Sequence, residues 1–253
     1  MIQFFEKHRA TAAAIVAAVG IGALHGSASG ALLQVSPINL FVIAPGKAGA
    51  VSLANQSKAP VRLQIRIFRW RQKDGEEVLE PTRDVIANPP SMEIPPEQTY
   101  TIRIARIAPA PVGPEESFRL IVDELPAPID PKGPPQGVSL LLRTSLPVFF
   151  NTKDAAPKVA WRLWSKDGKL TLQATNSGTR HIKLINLAIE GPQGRTQFSA
   201  AGTSAYVLPG STLRYQTLAS DAPNYAPGTV VKLTTVKGSL FEVVEQLTVS
   251  AGP

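Results

Sequence analysis

Val61-Arg-Leu-Gln-Ile-Arg-Ile-Phe-Arg-Trp-Arg71 decides the fold class. Val61, Leu63, Ile65 and Ile67 alternate with Arg62, Gln64 and Arg66, the period of two that places one face of a strand in a core and the other in solvent. The apolar phase then passes to Phe68 and Trp70, with Arg69 and Arg71 opposite, which predicts a bulge or bend near Ile67–Phe68. Lys73-Asp74-Gly75 follows as a turn, with Gly75 suited to positive φ. The same rhythm recurs at Tyr100–Ile104 and at Phe118–Val122, and no 3.6-residue apolar pattern runs longer than two turns after residue 31. Short runs of Val, Ile, Leu and Thr separated by Pro, Gly, Asn and Asp read as an all-β chain.

Composition sets the limits around that reading. The chain has 253 residues, a formal charge of +7, 23 prolines, three histidines and no cysteine. There is no material for a disulfide, a thiolate metal site or a cysteine nucleophile. His8 and His25 fall in an N-terminal segment with Lys7 and Arg9 at its head, an apolar Ala10–Leu24 centre and a small-residue stretch around Gly26–Ala31. That order is expected to be a secretory signal peptide over residues 1–30, and the apolar run is shorter than the roughly 20 residues needed to span a bilayer. Its removal leaves 24 basic and 18 acidic side chains, or +6, and an exported product for which no integral membrane segment is expected. His181 then stands alone, so a His metal site or Ser–His pair cannot be assembled; the reading is of a non-enzyme with no cofactor.

A polar connector, Asn151-Thr-Lys-Asp-Ala-Ala-Pro-Lys158, follows the apolar Leu146–Phe150. Beyond it, strands are expected at Trp161–Leu163, Leu170–Ala174, Ile182–Ile189, Leu213–Thr217, Val230–Val236 and Phe241–Val249. Two domains of about seven short strands have the size of immunoglobulin-like sandwiches: 31–151, a linker at 152–158, and 159–253.

Gly137–Phe150 is the unusual strand. Val138, Leu140, Leu142, Leu146, Val148 and Phe150 share one parity, while Leu141 and Phe149 add apolar surface on the other. It follows Asp130-Pro-Lys-Gly-Pro-Pro-Gln136, whose prolines cannot join a central ladder. Two readings fit this pattern: a buried central strand, or an apolar edge that needs a partner. Other constellations point to structural roles. Asp123-Glu124 are adjacent and face opposite ways, which does not suit paired acid–base work. Trp70, Trp161 and Trp164 would make a sugar platform only if exposed together. Arg62, Arg66, Arg69, Arg71 and Lys73 are interleaved with strand positions and read as a solvated sheet face, not a nucleic-acid surface.

Arg69–Thr82, Asn88-Pro-Pro90, Ile94-Pro-Pro-Glu-Gln98, Phe118–Pro126 and Leu142–Phe149 together resemble the first domain of periplasmic pilus-assembly chaperones. These belong to the PapD-like superfamily, and the likeness extends to its archaic branch serving spore-coat-U-like subunits. The resemblance implies two immunoglobulin-like domains in a boomerang. It also implies capture of a fimbrial subunit by donor-strand complementation, without ATP, and delivery to an outer-membrane usher. Val138, Leu140, Leu142 and Leu146 match the donor positions. Better-known members anchor the subunit's C-terminal carboxylate with two basic residues, where this chain has Asn39 and Pro147. Arg119 is then the expected replacement anchor, being opposite in parity to Phe118 and Leu120, followed by Arg143 and Arg103. The rival readings are an exported carbohydrate-binding module and a cell-surface structural module.

Overall fold

The computed structural model describes residues 33–110, 112–126, 140–166, 168–199, 205–217, 223–235 and 242–252. The expected signal peptide lies outside them. The described residues are all-β with no helix. The first domain contains β1 (Leu33–Ser36), β2 (Leu40–Ile43), β3 (Ala48–Asn55), β4 (Val61–Lys73), β5 (Glu76–Pro81), β6 (Val85–Asn88), β7 (Ser91–Ile94), β8 (Thr99–Arg106), β9 (Glu116–Leu125) and β10 (Arg143–Asn151). One sheet runs β1-β3-β8-β6. The other runs β2-β10-β9-β4-β5, with β7 also pairing to β4. Their inner faces enclose a core that includes Val51, Leu63, Ile104, Phe118 and Val148.

The second domain contains β11 (Val159–Lys166), β12 (Lys169–Asn176), β13 (Ile182–Lys183), β14 (Ala188–Gly191), β15 (Gly194–Ser199), β16 (Tyr206–Val207), β17 (Thr212–Thr217), β18 (Val230–Thr234) and β19 (Val244–Ser250). Seven of these strands close into a barrel, β11-β12-β17-β15-β14-β18-β19, while β13 pairs with β16. The expected single strand Ile182–Ile189 is thus two strands. Asn186 between them adopts φ 52°, a left-handed conformation that ends β-pairing and redirects the chain. Each domain is an immunoglobulin-like β-structure with its own apolar core.

The expected bulge in β4 is absent. Register against β9 is unbroken from Arg62↔Leu125 to Arg69↔Phe118. Val61, Leu63 and Ile65 are buried in the first core, as the alternation requires. Trp70 is buried on the opposite face because the second domain covers that end of the strand: it packs with Phe149, Tyr206 and Leu208. The change of apolar phase therefore marks a second partner, not an extra residue. The hairpin turn is as expected, with Asp74 and Gly75 at φ 53° and 89° between paired Lys73 and Glu76, the twist-matched two-residue connection.

Polar contacts fix the same junction. Gln72 of β4 donates to the Tyr206 carbonyl (2.6 Å) and accepts from the Leu208 N–H (2.9 Å), so its amide pairs with the second domain much as a peptide group would. Glu115 is buried and accepts from the His181 backbone N–H (3.0 Å); His181 Nδ1 lies 2.7 and 2.8 Å from its two carboxylate oxygens. Asn151 also donates to it, at 3.2 Å. The His181 ring stacks on Phe149 with centroids 3.9 Å apart.

Candidate functional site

Strand β10 has one shared edge and one partly open edge. It pairs with β9 from Arg143↔Asp123 to Phe150↔Glu116. On its other side β2 covers only Val148–Asn151. Among the described residues, Arg143–Pro147 therefore meets no strand on that outer edge. The Glu124 N–H donates to the Leu142 carbonyl at 2.9 Å, which sets the phase of the antiparallel ladder. Even-numbered residues of β10 direct backbone groups to β9, and odd-numbered ones direct theirs outward. Arg143 and Ser145 thus offer free N–H and C=O groups, and Pro147 offers its C=O. The missing N–H of Pro147 costs the internal ladder nothing, because it points outward.

Side chains divide along this segment. Leu140 is 66% exposed and Leu142 48%, and Leu141 is also exposed. Val138 lies outside the described residues. Leu146 shares the parity of Leu140 and Leu142 but is only 3% exposed and belongs to the first core. Its side chain is committed to this domain, which corrects its expected place among the donor side chains. The end of β9 does not set this division, because Leu142 is still bonded to Glu124. Leu146 lies within the first core, which neither Leu140 nor Leu142 joins, and Leu140 falls level with Pro126 beyond the end of β9.

Asp123 and Glu124 hold the base of this overhang. Asp123 bonds both Arg143 and Arg66, and the Glu124 carboxylate accepts from the Leu142 N–H at 3.3 Å. Burial alone would raise the Asp123 pKa, but hydrogen bonds from Arg143 and Arg66 hold it below the usual carboxylate range. Both carboxylates are thus engaged in contacts within the first domain. The basic stretch of β4 is similarly interleaved with acids: Arg69 pairs with Asp84 and Arg71 with Glu80.

The three arginines expected as anchors do not gather in one place. Arg119 lies directly opposite Pro147 in the β9–β10 register. Its guanidinium stacks on Trp70 at 3.6 Å and donates to Glu77 at 2.8 Å, with a side chain 12% exposed. It also lies 5.9 Å from the Tyr206 ring of the second domain. Asn39 is at the same junction, accepting from the Tyr206 hydroxyl at 3.1 Å. Arg143 is on the same sheet but turned to Asp123. Arg103 is exposed on β8, in the other sheet, and so is not on the Arg119 surface.

The tryptophans form no exposed platform. Trp70 and Trp164 are buried, and Trp161 is half-buried against the second core. The Glu115–His181 contact was not visible in the sequence as a site: neither residue belongs to a periodic pattern, and 66 positions separate them.

An open strand edge is an element to which an extended segment can add by backbone pairing. Residues 33–155 match the family described as pili and flagellar-assembly chaperone, PapD N-terminal domain. No curated protein matches the chain. Among solved structures, a chain of the CsuC–CsuE chaperone–tip subunit pre-assembly complex from the archaic Csu pili of Acinetobacter baumannii is similar at 24% identity and TM-score 0.61, over 87% of this chain and 99% of that one. The CupB2 chaperone of Pseudomonas aeruginosa is similar at 15% identity and TM-score 0.54, over 87% and 100%. The E. coli chaperone DraB is similar at 16% and 0.54, over 88% and 100%.

Proposed function

We propose that this chain is a periplasmic, ATP-independent chaperone that captures fimbrial subunits by lending them the outer edge of β10, then delivers them to an outer-membrane usher. The observation that carries this reading is the open edge at Arg143–Pro147 preceded by exposed Leu140 and Leu142. A subunit lacking a strand exposes an apolar groove flanked by unpaired backbone groups. The edge supplies hydrogen bonds through Arg143, Ser145 and Pro147, and the overhang supplies alternating side chains for the groove. Val138 shares the same parity in the sequence. Spore-coat-U-like subunits are the proposed clients, and pairing of this kind needs neither nucleotide nor metal.

Arg119 is the proposed anchor for the client's terminal carboxylate. A client strand running along the open edge meets β2 at Val148 and must stop level with Pro147. Arg119 is the cross-strand neighbour of that stopping point. The cation has thus moved one strand inward from the position that Pro147 now occupies. Arg143, held by Asp123 at the far end of the open edge, is placed to guide the strand's entry.

Co-expression of the full chain with a spore-coat-U-like subunit tests the function. A stable one-to-one complex is expected. A subunit that stays insoluble or is degraded equally with and without the chain would refute the assignment.

A further inference from the structure

We propose that Glu77 is a resident carboxylate that occupies the Arg119 anchor in the free chaperone and competes with the client's terminal carboxylate. The inference rests on the reading of Arg119 as that anchor.

Three features of the site support it. First, Glu77 is not needed to keep Arg119 in place. The guanidinium lies flat on Trp70 at 3.6 Å, and Trp70 is itself fixed among Phe149, Tyr206 and Leu208. Second, Glu77 holds Arg119 through Nη2, which belongs to both of the two-donor edges with which a guanidinium can grip a carboxylate. Arg119 Nε is buried and has no hydrogen-bond partner among the described residues. The guanidinium is therefore only partly satisfied, with donor capacity left for a second oxygen. Third, Glu77 is free to leave. Its side chain is 36% exposed and sits on β5, the outermost strand of the sheet, opposite Gln72. An incoming carboxylate at Arg119 would lie within a few ångströms of Glu77, and two like charges at one cation repel. Binding then turns Glu77 out to solvent, where it is fully hydrated.

Such a competitor lowers affinity without lowering specificity. A client lacking a correctly placed terminal carboxylate displaces nothing, whereas a correct client replaces one anion with another. The exchange also keeps the anchor from holding its client too tightly for later release.

The test is a partition experiment with intact chains. A tagged wild-type chaperone–subunit complex, made with a co-expressed spore-coat-U-like subunit, is incubated with an equimolar untagged competitor until subunit exchange reaches equilibrium. Glu77→Gln removes the charge but keeps an oxygen that accepts from Nη2, so the fold is preserved; an unchanged melting temperature checks this. Glu77→Gln is expected to hold the subunit about fivefold more strongly than wild type, the upper end for a partly exposed ion pair. That advantage should shrink at high salt and vanish in an Arg119→Ala background. Arg103→Ala should partition like wild type. Equal or weaker holding by Glu77→Gln, while Arg119→Ala weakens capture, would refute the competition alone. No effect of Arg119→Ala would remove the anchor itself.

Discussion

Leu140→Asp and Leu146→Ala separate lending a strand from folding one. Both leucines share one parity of the same chain segment, yet one is 66% exposed and the other 3%. Full burial of a leucine contributes about 1.5–3 kcal/mol, so burying the exposed part of Leu140 in a client groove contributes about 1–2 kcal/mol. The exposed half of Leu142 adds about 0.7–1.5 kcal/mol by the same reasoning. An aspartate at 140 forfeits the first of these and must also place a carboxylate in an apolar groove, a further cost of at least about 1–3 kcal/mol. Subunit affinity should therefore fall by at least about 30-fold, at about 1.4 kcal/mol for each factor of ten. Folding should hardly notice, since substitutions of exposed residues stay within about 0.5 kcal/mol. Leu146→Ala should do the reverse to stability, removing about 2–5 kcal/mol from the first core. The assay pairs thermal unfolding of the free chain with recovery of co-expressed subunit. Normal subunit recovery with Leu140→Asp would refute the reasoning, as would an unchanged melting temperature for Leu146→Ala.

Two further outcomes follow from charged groups. The folded-state pKa of Asp123 lies below its ordinary value of 3.8, so its stabilising contribution is complete above that ordinary value and is lost as pH falls through the folded one. The stability gap between wild type and Asp123→Asn, read from denaturant titrations, should be constant near neutrality and close below about pH 4; a gap that persists into strong acid would contradict the pairing with Arg143 and Arg66. His181→Ala leaves the Glu115 carboxylate buried without its ring partner and removes the stack on Phe149, so the chain should lose about 3 kcal/mol or more. A loss under about 0.5 kcal/mol would show that the junction does not depend on this contact.

Much of the fold could be read from β8, β9 and the first half of β4, where polar and apolar residues alternate about the first core. The misread bulge shows where such reading stops. Alternation reports that Trp70 is buried, but not by what; a strand with a second domain on its outer face changes phase without changing geometry. Parity likewise could not distinguish Leu146 from Leu142, because the difference lies in how far the first core reaches along the strand. Ile182–Ile189 looked continuous because both of its pieces are apolar, and the break at Asn186 is a matter of backbone conformation. That Arg119 faces away from the Phe118 and Leu120 core positions was legible from parity. Its neighbours Glu77 and Trp70 were not, since they come from strands 40 or more residues earlier in the chain.

Residue-resolved amide exchange of the free chain and its subunit complex tests the central claim most directly. The outward N–H groups of Arg143 and Ser145 should exchange readily in the free chain and become protected in the complex. Thr144 and Leu146, whose N–H groups face β9, should be protected in both states. Protection appearing on another surface, with Arg143 and Ser145 unchanged, would contradict the account.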